Sequence, residues 1–265
     1  MIDSVSRPAG FVHSLESGLS VIRCFSDARP RLTLSEVARQ TGLSRASARR
    51  SLLTLQTLGY VGSDERQFFL TPRVLTLGYT YLSSLSFADV AQSHLADLAN
   101  EVHESCSASV LDGFEIVYVA RAATKRIMTI SLSVGTRLPA YATSMGRVLL
   151  AALSDDQLDA YLGAATLAPL TERTIVDRNQ LRAELRRTRI RGWCVVDQEL
   201  EHGVRSVAVP VHDASGRVVA AVNTSAHATR VPLTTLQKSF LPKLKDCAVA
   251  IDAELRAGSV RSPMR

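Results

Sequence analysis

The sequence has no apolar run of the length that a membrane-spanning helix requires. Such a helix needs about 20 consecutive apolar residues, and polar or charged residues interrupt every apolar stretch of this chain much earlier. The opening residues, MIDSVSRPAGFVHS, also lack the apolar centre of a secretory signal peptide. We therefore expect the protein to be cytoplasmic.

Cysteine pairs of the C-x-x-C type are absent as well. The four cysteines stand far apart, at positions 24, 106, 194 and 247, and are expected to be free buried thiols in a cytosolic protein. Cys194, Asp197 and His202 lie close enough in sequence to suggest a zinc site. Their spacing matches no regular ligand motif, and alternation along a strand places Cys194 and Asp197 on opposite faces. We predict neither a metal site nor a cofactor.

Lysine is missing from the first 124 residues, so the basic charge there is all arginine. Residues 1–86 contain ten arginines and six acidic residues, whereas the remainder contains twenty-one basic and nineteen acidic residues. Six of those arginines and a single acid, Glu36, lie between Arg29 and Arg50. Guanidinium groups form bidentate pairs with phosphates and with guanine. The region therefore suits nucleic-acid contact, although charge alone fits a solvated basic face equally well.

Residues 11–72 show the element order of a winged helix-turn-helix. A first helix is predicted over about 14–25, with Ser14 as its cap and with Leu15, Leu19, Ile22 and Phe25 on one face. A capping box at Thr33–Glu36 opens a second helix, and Ser44 caps a third, SRASARRSLLTLQTLG. Two short strands around the polar turn SDER follow. Helix, helix, tight turn, helix and hairpin is the order of that DNA-binding domain.

The N-terminal half of the third helix is the predicted DNA-reading segment. Its polar residues lie off the apolar face formed by Ala48, Leu52 and Leu55, and recognition helices present this half to base edges. Arg45 is expected to meet a phosphate, and Arg66 on the wing is expected to contact the backbone or the minor groove. The predicted DNA-binding residues are Ser44, Arg45, Ala46, Ser47, Arg49, Arg50 and Arg66.

Residues 73–86 are predicted to form a linker helix, and residues 87–258 a larger α+β domain. The linker's apolar residues fit packing against a second chain or against the C-terminal domain equally well. The larger domain shows a hairpin signal at Asp112-Gly113. It also contains a strand at MTISLSVGTR, a basic helix over 177–191, three later strands, and a C-terminal helix kinked or broken at Pro242. Such a mixture favours a largely antiparallel sheet with flanking helices.

The segment Ala142-Thr143-Ser144-Met145-Gly146 is one residue short of the G-x-S-x-G motif of hydrolases. A hydrolase would use Ser144 as nucleophile, but Ala142 stands where the strained turn needs glycine, and Pro139 argues against a buried strand before it. We therefore predict that the protein is not an enzyme. Ser144 is instead expected to cap a helix whose free N–H groups hold an anion. Gly146 would let the ligand approach the backbone, and Arg137 would pair with its carboxylate.

Most of the chain, from about residue 11 to 251, resembles the isocitrate-lyase-regulator (IclR) family of bacterial transcription factors. The segments that carry the resemblance are SLESGLSVIRCF, LTLSEVARQTGLSRASARRSLLTLQTLGYV, LTPRVLTLGYTYLSS, SCSASVLDGFEIVYVARAATKRIMTISLSVGTRLPAYATSMGRVLLAAL and GWCVVDQELEHGVRSVAVPVHDASGRVVAAVNTSAH. Within that family, RIMTISLSVGTRLPAYATSMGRVLLA and VDQELEHGVRSVAVPV resemble regulators of the protocatechuate/β-ketoadipate pathway, the PcaR/PcaU/PobR type.

The resemblance implies an N-terminal winged helix-turn-helix, a linker helix, and an effector domain with a curved antiparallel sheet and flanking helices. It also implies dimers or tetramers on promoter DNA and a small organic acid as effector. By motif match, the effector site would contain Ala142, Ser144, Met145, Gly146, Asp197, Glu199, Asn223 and Ser225. Arg137 joins this set on its charge alone. Two other interpretations remain open: a hydrolase that uses Ser144, and a ligand-sensing module that acts through protein partners.

Overall fold

The chain forms two compact units, residues 1–81 and residues 82–265. The computed structural model describes residue 8 and residues 10–26, 28–64, 66–78, 86–124 and 132–260. In these ranges no helix is both long and apolar enough to cross a bilayer.

The N-terminal unit combines helices with a small antiparallel sheet. Its three helices and its hairpin follow the predicted order, whereas the short strand before the second helix was not predicted. Its elements are α1 (His13–Arg23), β1 (Leu32–Thr33), α2 (Leu34–Thr41), α3 (Arg45–Thr57), β2 (Val61–Asp64) and β3 (Gln67–Leu70). Strand β3 lies between β1 and β2 and pairs antiparallel with both. The winged helix-turn-helix is thereby confirmed, with the β2–β3 hairpin as its wing.

Local capping determines where α2 and α3 begin. The Thr33 hydroxyl accepts from the Glu36 N–H while the Glu36 carboxylate accepts from the Thr33 N–H, which confirms the capping box. Gly42 ends α2 in the left-handed conformation, with φ of 70°. The Ser44 hydroxyl accepts from the Ser47 N–H at 3.1 Å and so caps α3 as predicted.

Helix α1 differs from its prediction in start, end and buried face. It begins at His13 after Val12, whose side chain makes no capping hydrogen bond, so Ser14 is not the cap. Leu15 and Leu19 are 62% and 49% exposed, whereas Val21 is fully buried in the core of the unit. Spacing predicted the helix correctly, but only the C-terminal half of α1 faces that core.

The C-terminal unit is an α+β domain on one antiparallel sheet, as predicted. Its helices are α4 (Ser86–Val102), α5 (Ser144–Ala151), α6 (Asp155–Ala164), α7 (Arg178–Arg191) and α8 (Leu241–Val260). Its strands are β4 (Ser105–Asp112), β5 (Glu115–Ala122), β6 (Arg137–Pro139), β7 (Cys194–Asp197), β8 (Val204–His212) and β9 (Val218–His227). The six strands follow the order β6-β5-β4-β9-β8-β7. One apolar cluster contains residues of α4 and α8, and a second contains residues of α5, α6 and α7.

Strand register brings polar residues together under α5. Ser107 on β4 lies opposite Asn223 on β9, and Ser225 on β9 lies opposite Ser206 on β8. Paired residues point to the same face of a sheet, and Ser109 of β4 reaches Met145 of α5 at 3.3 Å from that face. A polar patch therefore lies in an otherwise apolar layer.

Three predicted elements differ from the structure or lie partly outside the described residues. The strand predicted at MTISLSVGTR falls partly on residues 125–131, outside the described residues, and residues 132–136 are not a strand. The linker helix predicted over 73–86 includes residues 79–85, also outside them. The C-terminal helix is not broken at Pro242. A π-helical segment, Leu236–Phe240, instead precedes α8, which accommodates a proline that lacks an N–H donor and crowds the preceding turn.

Candidate functional site

The first candidate surface is the N-terminal half of α3. Ala48, Leu52 and Leu55 anchor the helix in the core of its unit. The residues on the opposite side are exposed at Ser44, Arg45, Ala46, Arg49 and Arg50 and half-buried at Ser47. Residues 44–50 thus present three guanidinium groups to solvent. They lie at the N-terminal end of the helix, which is the end that recognition helices insert into the major groove.

Most guanidinium groups of this surface have no partner among the described residues. Arg45, Arg49 and Arg66 make no ion pair or hydrogen bond within the part of the chain that the structure describes, and Arg50 makes only a 3.4 Å contact with the Ser47 hydroxyl. Arg31, just before β1, is already paired with Asp64 of the wing at 3.4 Å. Unpaired exposed arginines are available to neutralise phosphates, whereas arginines already paired with carboxylates are less available.

The second candidate site is a cavity of about 30 Å³ beside the first turn of α5. A space of this size holds a water molecule, whereas a cavity that takes a benzene ring is about 150 Å³. A ring-sized ligand therefore has to displace the lining. The lining combines apolar, hydroxyl, amide and carboxylate groups from Tyr118, Leu132, Ala142, Thr143, Ser144, Met145, Val196, Leu200, Glu201, Val204, Ser206, Asn223 and Ser225.

Thr143, and not Ser144, caps helix α5. Its hydroxyl accepts from the Gly146 N–H at 3.1 Å, so the predicted cap is wrong by one residue. Ser144 is the first helical residue, and its hydroxyl lies 2.8 Å from that of Ser206 on β8. The N–H groups of this first turn have no carbonyl four residues earlier in the helix to receive them, and the helix dipole makes this end positive.

Gly146 packs against protein backbone and does not admit a ligand. A Cβ atom at this position would lie 2.1 Å from the Ala140 carbonyl oxygen and 2.4 Å from the Ala140 Cα. The expectation that Gly146 opens the backbone to an effector is therefore wrong. The glycine is needed because α5 turns back closely onto the short helical turn Ala140–Ala142.

We expect Gly146→Ala to destabilise the C-terminal unit by about 2 kcal/mol or more, because backbone atoms have no alternative rotamer to adopt. Gly163→Ala in α6 is the matched control, since nothing lies within 4 Å of its added Cβ. It should stabilise by about 0.5 kcal/mol through helix propensity. Urea denaturation measures both. Equal stabilities for the two variants would contradict the packing role of Gly146.

Arg137 is not brought to the cavity. Its guanidinium pairs with Glu115 Oε2 at 2.7 Å and Asp112 Oδ2 at 2.8 Å at the edge of the sheet. Hydrogen bonds to Glu115 and then Asp112 raise the pKa of Arg137. The side chain is thus engaged by two carboxylates of β4 and β5, and it is absent from the cavity lining.

Asp197 and Glu199 are not among the residues that line the cavity. Asp197 pairs with Arg205 at 2.8 Å and with Arg173 at 2.9 Å. Glu199 forms a bidentate ion pair with Arg147 of α5, and the Arg147 side chain is only 1% exposed. Motif matching thus identified residues that hold α5 and the loop after β7 in position.

Arg147 is the residue of this region that sequence reasoning missed most clearly. Its Nε donates to the Tyr141 carbonyl at 2.7 Å, and Glu199 Oε2 also accepts from the Ile175 N–H at 3.1 Å. The ion pair therefore ties together the turn before α5, helix α5 itself, and two loops. A fully buried arginine always needs such partners, and no local sequence pattern names them.

Sequence reasoning also missed Tyr118, Ser206 and Glu201. Burial raises the pKa of Tyr118 to about 12, so its phenol is a neutral hydroxyl at physiological pH. Ser206 is a polar residue inside the apolar strand β8, which is the signal that points to it. Asn223 Oδ1 and Glu201 Oε2 are buried without a hydrogen-bond partner among the described residues.

The hydrolase arrangement is not assembled around Ser144. Its hydroxyl partner is Ser206, while His202 pairs with Glu172, His212 with Asp252, and His227 with Thr229. Cys194 is fully buried, and burial raises the pKa of its thiol. In the described ranges no three histidine, cysteine, aspartate or glutamate side chains form a cluster suited to a metal ion.

Comparison with known proteins gives consistent results along the chain. Residues 14–65 match the IclR helix-turn-helix domain, and residues 79–253 match the bacterial transcriptional regulator IclR C-terminal domain. The Pca regulon regulatory protein of Pseudomonas putida is 49% identical over 244 residues, covering 92% of this chain and 84% of that protein.

Two solved structures are also similar. The crystal structure of a transcriptional regulator from Rhodococcus sp. RHA1 is 56% identical, with a TM-score of 0.85, and covers 94% of this chain and 100% of that one. The second contains a double mutant of the PobR inducer-binding domain from Acinetobacter, in complex with 3-hydroxybenzoic acid. It is 35% identical, with a TM-score of 0.58, and covers 63% of this chain and 96% of that one.

Proposed function

The chain belongs to the IclR family of bacterial transcriptional regulators, and we propose how its two units divide that function. The N-terminal unit reads promoter DNA through α3 and the wing. The C-terminal unit senses a small organic acid from an aromatic-degradation pathway in the cavity beside α5. We retain residues 11–72, 73–86 and 87–258 as the DNA-binding domain, linker helix and effector domain of this proposal.

The DNA-binding proposal rests on the exposed arginines of α3. Arg49 and Arg50 extend from the side of the helix opposite its buried face, which suits base edges in the major groove. Arg45 and Arg66 suit phosphates on either side, since both are exposed and unpaired within the described ranges. Ser44, Ala46 and Ser47 complete the proposed contact segment.

The acid-sensing proposal rests on one observation, the concentration of donors beside the first turn of α5. Ser144, Met145, Ser206 and Ser225 all line the cavity. They supply the Ser144–Ser206 hydroxyl pair, the Ser225 hydroxyl and the N–H groups of the first two residues of α5. These groups stabilise a carboxylate without a cation. The similarity to the inducer-binding domain that holds 3-hydroxybenzoic acid supports an aromatic acid.

The proposed effector site keeps some of the residues predicted from the sequence, omits others and adds new ones. It retains Ala142, Ser144, Met145, Asn223 and Ser225, all of which line the cavity. It adds the lining residues Tyr118, Thr143 and Ser206. Gly146, Asp197 and Glu199 hold the elements around the cavity in position without lining it. Arg137 is not part of the proposed site.

A ring-sized acid in this cavity has to move its lining apart, and such movement gives the effector a means of changing the protein. A ligand shifts a conformational equilibrium only through different affinities for the two states. The cavity of about 30 Å³ is one state, and a cavity enlarged to admit the ring is the other. The acid binds the enlarged state more tightly, which provides the difference in affinity. We propose that this opening is what alters DNA affinity, in a cytoplasmic homodimer or tetramer.

The test is a gel-shift titration with the DNA upstream of the protein's own gene and with an unrelated duplex of equal length. Specific binding that benzoate, 4-hydroxybenzoate or 3,4-dihydroxybenzoate alters would support the proposal. A protein that binds these acids but neither duplex at low salt would instead be a sensing module acting through protein partners.

A further inference from the structure

Two hydrogen-bond acceptors of the cavity have no donor in the part of the chain that the structure describes. Glu201 Oε2 and Asn223 Oδ1 are both buried and unpartnered among the described residues, and both side chains line the cavity. Asn223 is 3% exposed, and its Nδ2 already donates to the Ser225 hydroxyl at 3.0 Å. Each of these buried acceptors carries a desolvation cost, and a ligand hydroxyl, which has one proton to donate, can remove that cost for one of them.

The loop that carries Glu201 is fixed by hydrogen bonds. The Gly203 N–H donates to Gln198 Oε1 at 3.1 Å, and the Gln198 N–H donates to the Val204 carbonyl at 2.8 Å. The Val204 N–H donates to the Glu201 carbonyl at 3.2 Å. These bonds form a closed turn between β7 and β8. Glu201 is therefore held at the cavity by its backbone, since its side chain makes no ion pair with any described residue.

Among the described residues, no lysine, arginine or histidine lines the cavity. Within these ranges the Glu201 carboxylate has no neighbouring cation in the lining to offset a second negative charge. A ligand carboxylate placed beside it would be repelled, whereas a hydroxyl would donate a charge-assisted hydrogen bond. The donors that suit the ligand carboxylate lie along α5 and the Ser144–Ser206 pair instead.

We propose that Glu201 reads a hydroxyl group of the effector, and that it selects hydroxylated monocarboxylic acids over unsubstituted acids and over dicarboxylic acids. The ligand carboxylate then lies toward the first turn of α5, and the ligand hydroxyl donates to Glu201. Asn223 Oδ1 is the acceptor for a second hydroxyl where the acid carries one. This inference rests on the acid-sensing function proposed above and deepens it by assigning one residue to substituent selection.

The experiment is isothermal titration calorimetry on the full chain with five acids. They are benzoate, 3-hydroxybenzoate, 4-hydroxybenzoate, 3,4-dihydroxybenzoate and adipate, the last as a dicarboxylate. The tightest hydroxylated acid should bind about 10- to 100-fold more strongly than benzoate, and adipate should bind more weakly than that acid. Glu201→Gln keeps the shape and an uncharged acceptor, and Glu201→Met removes the acceptor. Glu172→Gln is the control, because Glu172 is an exposed acid outside the cavity lining.

The preference for the hydroxylated acid over benzoate should shrink in Glu201→Gln and fall below about threefold in Glu201→Met, with benzoate affinity retained and the control unchanged. An unchanged preference in Glu201→Met would overturn the assignment of Glu201. Tighter binding of adipate than of every hydroxylated acid would overturn it too. If the wild-type protein binds none of the five acids at millimolar concentration, the acid-sensing function itself fails.

Discussion

Replacing Arg49 or Arg50 by alanine should weaken binding to the promoter site by about 10- to 100-fold per substitution. Both side chains extend from the exposed side of α3, and a bidentate arginine–guanine contact contributes about 1–3 kcal/mol of discrimination. The affinity for unrelated DNA should fall less, so the ratio of specific to non-specific binding should narrow. Fluorescence anisotropy with both duplexes at one stated salt concentration measures this ratio.

The control for these two variants is Arg186→Ala, which removes the same charge from an exposed position on α7 in the other unit. Its promoter affinity should stay within about twofold of the wild type. Effector binding and thermal stability should be unchanged in Arg49→Ala and Arg50→Ala. Promoter affinities equal to that of the wild type in both variants would remove α3 from the DNA interface.

Glu199→Ala should destabilise the C-terminal unit by about 3–5 kcal/mol, because it leaves the Arg147 guanidinium buried without its counter-ion. Arg147 is among the largest fully buried side chains in the described ranges, and its second anchor is only a backbone carbonyl. Urea denaturation monitored by circular dichroism gives the change in unfolding free energy. The exposed Glu172→Ala substitution should cost less than about 1 kcal/mol.

The double variant Arg147→Met/Glu199→Leu separates the loss of the pair from the loss of one partner. Apolar residues that replace a complete buried ion pair are often neutral or stabilising, so the double variant should be more stable than Glu199→Ala. A Glu199→Ala protein within about 1 kcal/mol of the wild type would show that Arg147 tolerates isolation. The account of α5 as a clamped element would then be wrong.

The parts of the fold that sequence predicted well depend on neighbouring residues. Thr33 with Glu36, and Ser44 with the N–H of Ser47, determine helix starts within four residues of chain. Asp177 and Gly192 delimit α7 in the same way. Capping is a local interaction, so its signature is present in the sequence itself.

The parts that sequence reasoning missed depend on strand register and long-range packing. Arg137 is near Ser144 in the chain, but β5–β6 pairing brings it to Glu115. Glu199 was predicted as a site residue by motif match, whereas its ion-pair partner Arg147 is 52 residues away in the chain. For α1, spacing predicted an apolar face and did not determine that Leu15 stays exposed. Which polar group meets which is decided by tertiary contacts, and a single sequence does not contain that information in local form.

We propose that acid binding and DNA affinity are coupled within this one chain. The most direct measurement is the dissociation constant for the duplex upstream of the protein's own gene, with and without the tightest of the hydroxylated acids, at constant salt. We expect specific binding, and a change of about fivefold or more in the dissociation constant when the acid is present. An identical dissociation constant in its presence and absence, with the acid bound to the protein, would contradict it.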